Sequence, residues 1–290
     1  TAQTYFDRVF TLEDTPELDN PHWLFSHNIM EMCTAIKGPV LRVLLEEIKN
    51  PDGVVVYMDP DTYLYSNPVE LMRALEFSSI VLTPHMLRPS TRRHLQIEHA
   101  LLRHGAYNLG FLAVRSDTMG CEFAEWWSDR LRTHCIIDVS NGHFTDQKLI
   151  DLVPSLFDGV HILREPGYNL ATWNMEHRNP TFAGGIPLVN GRPLRFYHFA
   201  GSPANRGLRN LEAWFPARAE ALQGLWSDYQ DNVSLWDEDK DWVWKYGVFS
   251  DGETITDEHR RTFRGSVKMK ECIPDPFSLT LSEFSRHSAQ

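Results

Sequence analysis

The run Val54-Val55-Val56-Tyr57-Met58-Asp59-Pro60-Asp61 is an apolar, β-branched segment closed by two aspartates around a proline. Asn50-Pro51-Asp52-Gly53 before it is a strong turn signal. A short continuous apolar run bounded by turns reads as a strand buried on both faces, as in a parallel sheet. In open α/β sheets ligands sit outside the carboxyl ends of the strands, and Asp59 and Asp61 leave the strand at that end. Two carboxylates one residue apart, with Pro60 stiffening the turn between them, suit a hard divalent cation such as Mg²⁺ or Mn²⁺. Such a cation can bridge to a diphosphate and act as a Lewis acid on its departure. The bland alternative is a pair of solvated turn residues ahead of the next helix, since a bare DxD is frequent by chance.

Outward from this strand the chain alternates. Apolar residues recur at helical spacing from Ile29 to Ile48, with Gly38-Pro39 expected to interrupt or kink the helix. Beyond the aspartates, helices are expected over 68–76, 90–104, 117–132, 144–152 and 208–228, and strands over 79–82, 111–114, 160–163 and 194–199. Strands alternating with helices imply an α/β layered fold. The tail from about residue 235 is irregular and rich in Trp, Asp and Lys. The expected division is therefore a catalytic domain over 1–230 and a C-terminal extension over 231–290.

Composition narrows the classes. The chain has 290 residues, 28 Lys+Arg against 39 Asp+Glu, and a formal charge of −11. Hydrophobic residues at 42% and charged residues at 23% are ordinary for a globular protein and not for a disordered one. An acidic chain without a basic stripe is a poor nucleic-acid binder. No apolar run approaches the ~18 residues of a membrane span. Cys33, Cys121, Cys135 and Cys272 form no CxxC pair and fit a reduced, cytoplasmic protein better than a disulfide scaffold. The chain opens on Thr1 with no charged-then-apolar leader, which suggests a segment of something longer.

The strand and its aspartates resemble the "viYlDxD" segment of nucleotide-sugar glycosyltransferases of the GT-A fold. Tyr107-Asn108-Leu109-Gly110-Phe111-Leu112-Ala113-Val114 is similar to their "fNsGvlli" strand, Thr145-Asp146-Gln147-Lys148 to their "DQ" motif, and Tyr197-His198-Phe199-Ala200-Gly201 to their "HFxG" segment. These motifs, in the family's order over about residues 29–215, resemble glycosyltransferase family 8 (the glycogenin and lipopolysaccharide galactosyltransferase group). More loosely they resemble bacterial surface-polysaccharide transferases. The resemblance implies a Rossmann-like central sheet, mixed but mostly parallel, flanked by helices. It implies a hexosyl transfer from a nucleotide-sugar donor, UDP-linked and retaining, to a glycan or lipid-linked acceptor in polysaccharide synthesis, with further transferase modules or protein partners.

By the same resemblance Asp59, Asp61 and His198 bind Mn²⁺ or Mg²⁺, His198 through a neutral imidazole nitrogen. Asn108, Gly110 and Gly201 line the donor site, and Lys37 stands where relatives often carry an arginine that reaches the donor. Asp146 and Gln147 lie near the anomeric centre: Asp146 holds donor hydroxyls in a retaining reaction or acts as general base in an inverting one, and Gln147 positions or stabilises. The chain departs from the family in two places. No strand–helix–strand opening is found before Ile29, so either the base-binding part lies outside this chain or the base is held differently. Ser202-Pro203-Ala204-Asn205-Arg206 replaces the family's Lys-Pro-Trp.

Other readings compete. Asp146 suits a helix N-terminus and Thr145 a cap, and a lone histidine on a strand is commonly a hydrogen-bonded core residue. Asn169 and Asn174, with Tyr168 and Trp173, suit either a sugar-facing wall or a packed turn. Trp126 and Trp127 read as core; Glu31, Glu98, His94, His99 and His104 read as surface. A nucleotidyl- or phosphotransferase using the same carboxylates is the first rival function, and a non-catalytic glycan-binding scaffold the second.

Overall fold

The computed structural model describes residues 5–201, 205–235 and 244–289. The chain divides into two compact units, one of residues 1–43, 124–137 and 239–290, the other of 44–123 and 138–238. The protein is a mixed α/β structure. Among the described residues no helix is long and apolar enough to cross a membrane.

The second unit holds the sheet. Its strands are β1 (Val54–Met58), β2 (Thr62–Leu64), β3 (Ile80–Pro84), β4 (Tyr107–Arg115), β5 (Val160–Ile162) and β6 (Phe196–His198). The four-stranded sheet has the order β1-β4-β3-β5, and β2 pairs separately with β6. A mixed sheet was expected and is found, but the pairing is not mostly parallel: β4 is antiparallel to both β1 and β3, and only β3–β5 is parallel. The reason lies in helix Leu95–His104, which brings the chain back to the edge that β3 has just left. The His85 N–H donates to the Ala106 carbonyl at 2.9 Å, so β4 can only run in reverse. Because β1 and β3 both oppose β4, the carboxyl ends of β1, β3 and β5 still share one edge with the start of β4.

Burial follows this order. β3 is buried at every position and β4 at all but its ends. β1 has one ladder partner, so it is only partly buried and Val56 is 44% exposed, where full burial was expected. Leu71, Leu75, Val81, Phe111, Ala113, Tyr168 and Phe196 form one core. Tyr197, Phe199, Leu222 and Trp226 form another, beneath helices Arg206–Trp214 and Pro216–Ser234. These two helices replace the single one expected over 208–228. Pro216 has no N–H to continue the first and begins the second.

Among the local expectations, one break holds and one helix does not. The 29–48 pattern breaks at Ile36 into helices Ile29–Ala35 and Lys37–Glu47, next to Gly38-Pro39. The expected helix over 144–152 is instead a turn followed by a 3₁₀ segment, Lys148–Leu152. An antiparallel ribbon, Pro180–Ala183, Ile186–Val189 and Arg192–Pro193, was not anticipated.

In the first unit, residues 244–289 of the C-terminal segment are largely helical and packed. Helices Asp257–Gly265, Val267–Cys272 and Leu281–Ser288 surround Phe25 with Phe249, Phe263 and Phe284. Arg260, 2% exposed, donates to the carbonyls of Phe25, His27 and Tyr246 at 3.0, 2.7 and 2.6 Å. One guanidinium thus satisfies the end of helix Pro21–Ser26 from the C-terminal segment. Glu31, expected on the surface, is 4% exposed. Its carboxylate accepts from Asn28 N–H at 2.9 Å in a capping box and from Ile137 N–H at 2.7 Å.

Candidate metal centre

Three of the residues singled out above meet at the shared sheet edge. Asp59 follows β1, and its N–H donates to the Gly110 carbonyl of β4 at 2.9 Å. The Asp59 carbonyl in turn accepts from the Thr62 N–H and hydroxyl, a tight turn that carries Asp61 into β2. β2 pairs with β6 so that Thr62 faces His198, and Asp61 O accepts from Phe199 N–H at 2.7 Å. His198 Nε2 lies 3.0 Å from Asp61 Oδ1 and 3.7 Å from Asp59 Oδ2. The ring is buried, with 6% of its side chain exposed, against 24% for Asp59 and 33% for Asp61. Potential ligand atoms of all three residues fall within 4.8 Å of one another. The cluster is therefore anchored on the histidine side and open on the carboxylate side.

The proton on His198 follows from a chain of amides. Gly110 N–H donates to Asn108 Oδ1 at 3.0 Å, which fixes that atom as oxygen. Asn169 Nδ2 then donates to the same oxygen and to Thr83 Oγ1, both at 2.9 Å. Its remaining oxygen, Oδ1, sits 3.3 Å from His198 Nδ1. An oxygen there requires an N–H on Nδ1, so a neutral ring turns the lone pair of Nε2 toward the aspartates. A nitrogen lone pair 3.0 Å from a carboxylate oxygen is unfavourable unless a proton or a cation lies between them. The donor set fits a cation: two carboxylates and one imidazole suit Mn²⁺, and with ~2.1 Å bonds adjacent donors of an octahedral site lie ~3 Å apart. The supporting hydrogen bond to the far ring nitrogen is the usual device for orienting a metal-binding histidine.

Gly110 has a steric role. A Cβ built on it would lie 2.3 Å from His198 Cε1 and 2.8 Å from Asn108 Oδ1. Only glycine leaves room for the ring at this position of β4. Behind Asn108, His85 is fully buried, and its Nε2 lies 3.3 Å from Asn108 Nδ2. Since Asn108 donates there, His85 carries its proton on Nδ1. Burial first, then the nearby His198 and Arg178, depress its pKa to about 4.

The remaining predicted residues are placed as follows. Thr145 is held at φ 46°, a costly conformation for a β-branched residue. It turns the chain so that Asp146, 2% exposed, and Gln147 are both buried. Thr145 Oγ1 donates to Asp146 Oδ1 at 3.1 Å. Gln147 Nε2 donates to His104 O at 2.8 Å, and its Oε1 accepts from Leu109 N–H at 3.4 Å. Gln147 thus braces β4 at the residue between Asn108 and Gly110. Gly201 has φ +77°, and its carbonyl accepts from Arg206 N–H at 3.1 Å. Of the segment Ser202-Pro203-Ala204-Asn205-Arg206, residues 202–204 lie outside the described residues. Lys37 is buried at the start of helix Lys37–Glu47 in the first unit, whereas the cluster belongs to the second.

Sequence reasoning left Asn169 as either a wall or a turn. It is both a turn residue, at φ 51°, and the partner of His198. Asn174 belongs to the turn itself, bonding Asn169 O and Ala171 N–H. Thr83 carried no such signal, and Trp173 was read only as part of the same wall or turn. Thr83 anchors Asn169, and the Trp173 ring stands edge-on to His198 at 5.2 Å.

The chain is 32% identical to the uncharacterized protein YfnF of Bacillus subtilis over 174 residues, covering 59% of this chain and 56% of YfnF. It is 25% identical to the uncharacterized protein YfnD of the same organism over 190 residues, covering 64% of this chain and 59% of YfnD. The chain therefore spans little more than half the length of these curated relatives. No protein-family model matches the chain, and no solved structure matches it at a significant level.

Proposed function

We propose that this protein is a metal-dependent glycosyltransferase of the GT-A type, close to glycosyltransferase family 8. It would move a hexosyl group from a nucleotide-sugar donor, UDP-linked and with retention, to a glycan or lipid-linked acceptor. The observation that carries this reading is the convergence of Asp59, Asp61 and the lone-pair face of His198 at 3.0–3.7 Å on the edge of an α/β sheet. Mn²⁺ or Mg²⁺ held there would offset the negative charge that grows on a departing nucleoside diphosphate.

The chain's own residues prepare that chemistry. Asn169 holds His198 in the tautomer that leaves Nε2 available. Gly110 keeps β4 clear of the ring. Gln147 braces Asn108 and Gly110 from behind, which makes it a positioning residue in this reading. Asp146, buried beside Thr145, is the carboxylate for donor hydroxyls.

Calorimetry with UDP, and separately GDP, tests the proposal on the full-length protein with and without Mn²⁺. Binding of one nucleotide only when Mn²⁺ is present, and its loss in Asp61→Ala, is the expected result. Failure of the folded protein to bind either nucleotide with Mn²⁺ sinks it.

A further inference from the structure

Trp173 has two faces of interest. One side of its ring meets His198 edge-on at 5.2 Å. The residue also lines a cavity of about 470 Å³ between the segment around helix Leu95–His104 and the end of helix Arg206–Trp214, all within the second unit. That volume is in the range of small-ligand sites, ~300–1,000 Å³. Trp214 and Phe215 form the facing aromatic wall, and Trp214 is 53% exposed although nothing about its helix requires an outward tryptophan. Arg93, His94 and Gln96 supply a polar side.

The polar side is fixed. Glu176 accepts from the Thr91 N–H and hydroxyl, both at 2.8 Å, and pairs with His94 Nδ1 at 3.2 Å. His94, expected to be an idle surface residue, is thereby held against Phe215, with the rings 5.4 Å apart.

We propose that this cavity binds a pyranose ring, and that the ring belongs to the acceptor. Sugars present apolar C–H faces that pack on aromatic rings and hydroxyls that bond to polar edges. The cavity offers both: aromatic walls in Trp173, Trp214 and Phe215, and polar edges in Arg93, His94 and Gln96. A hydrocarbon chain would match the aromatic walls but would desolvate Arg93 and Gln96 without offering them a hydrogen bond. The assignment to the acceptor rests on the transferase reading above, because Trp173 is the wall shared with His198. The binding of a sugar does not depend on that reading.

Saturation-transfer NMR tests the proposal, using the methyl α- and β-pyranosides of glucose, galactose and mannose as probes and 1-octanol as the apolar control. Wild-type protein and Asp61→Ala should both transfer saturation to the ring protons of at least one glycoside. Trp214→Ala, which changes a half-exposed side chain, should reduce that transfer at least fivefold, and Trp173→Phe should weaken it while preserving the aromatic wall. The proposal is overturned if no glycoside responds with wild-type protein, if the response survives Trp214→Ala, if it vanishes in Asp61→Ala, or if octanol alone responds. Binding of UDP with Mn²⁺, measured on the same samples, separates the two readings. Absence of both UDP and GDP binding with Mn²⁺, with glycoside binding intact, defeats the transferase and leaves the sugar site standing.

Discussion

Asn169 Oδ1 faces His198 Nδ1 at 3.3 Å, and this contact decides which nitrogen of the ring is available to a cation. The oxygen is held in place by two donations from the other end of the same amide, to Asn108 and Thr83. Replacing Asn169 with alanine frees the ring to change tautomer and rotate. Loss of such a supporting hydrogen bond typically costs ~10–100-fold in metal affinity. We expect Asn169→Ala to weaken Mn²⁺ binding by that order while the far-ultraviolet circular dichroism is unchanged. Isothermal titration with Mn²⁺ checks this, and an unaltered affinity would mean that the ring needs no help from Asn169.

Gly110→Ala tests the space beside the same ring. The new methyl would sit 2.3 Å from His198 Cε1, far inside van der Waals contact. Strand β4 is buried and fixed on both sides by ladders, so the ring moves before the backbone does. Overpacking of this kind typically costs ~1–3 kcal/mol. The variant should unfold at lower urea than wild type and lose metal-dependent nucleotide binding in its folded fraction. Retained binding at wild-type affinity would show that His198 is not a ligand.

Gln147 separates a bracing role from a purely chemical one. Its amide links the end of helix Leu95–His104 to β4 through His104 O and Leu109 N–H. Gln147→Ala leaves both groups without that partner, at a cost of ~1–3 kcal/mol for each buried one. A measurable fall in the urea midpoint is expected, together with weaker nucleotide binding as Asn108 and Gly110 loosen. An unchanged midpoint would remove the bracing role.

How far the sequence carries is visible in particular residues. The Val54–Met58 run was legible because a β-branched apolar run bounded by turns reads as a strand, whereas Asn108, Gly110 and His198 were legible only through the resemblance of their segments to glycosyltransferase motifs. The direction of β4 was not, since periodicity records which residues are buried and not which way a strand runs. The partnership of Asn169 with His198 was not legible either: it joins residues 29 positions apart through an amide whose orientation is set by the backbone N–H of Gly110. Glu31 was misplaced on the surface because a carboxylate is normally solvated. Here it serves two backbone N–H groups, which stabilises it in a buried position.

Acid stability provides the last test, through one buried histidine in each unit. His85 is lowered to about 4 by burial and by the neighbouring His198 and Arg178. His27 is lowered to about 4 by burial, against the raising effect of its hydrogen bond to the Trp23 carbonyl, with Arg264, Arg260 and Lys270 adding to the depression. In an unfolded chain both would titrate near the ordinary value of 6.5. Between pH 6.5 and 4 the unfolded state therefore binds protons that the folded state refuses, so stability rises with pH across this window. The contribution is complete above about 6.5 and falls steadily as the solution is acidified toward 4. Urea midpoints at pH 7.5, 5.5 and 4.5 should decline in that order. The C2–H resonances of His27 and His85 should hold their neutral shifts down to pH 5. If both buried rings titrate near the ordinary 6.5, they are reached by water in the folded state. The closed amide network that links His85 through Asn108 and Asn169 to His198 would then be wrong.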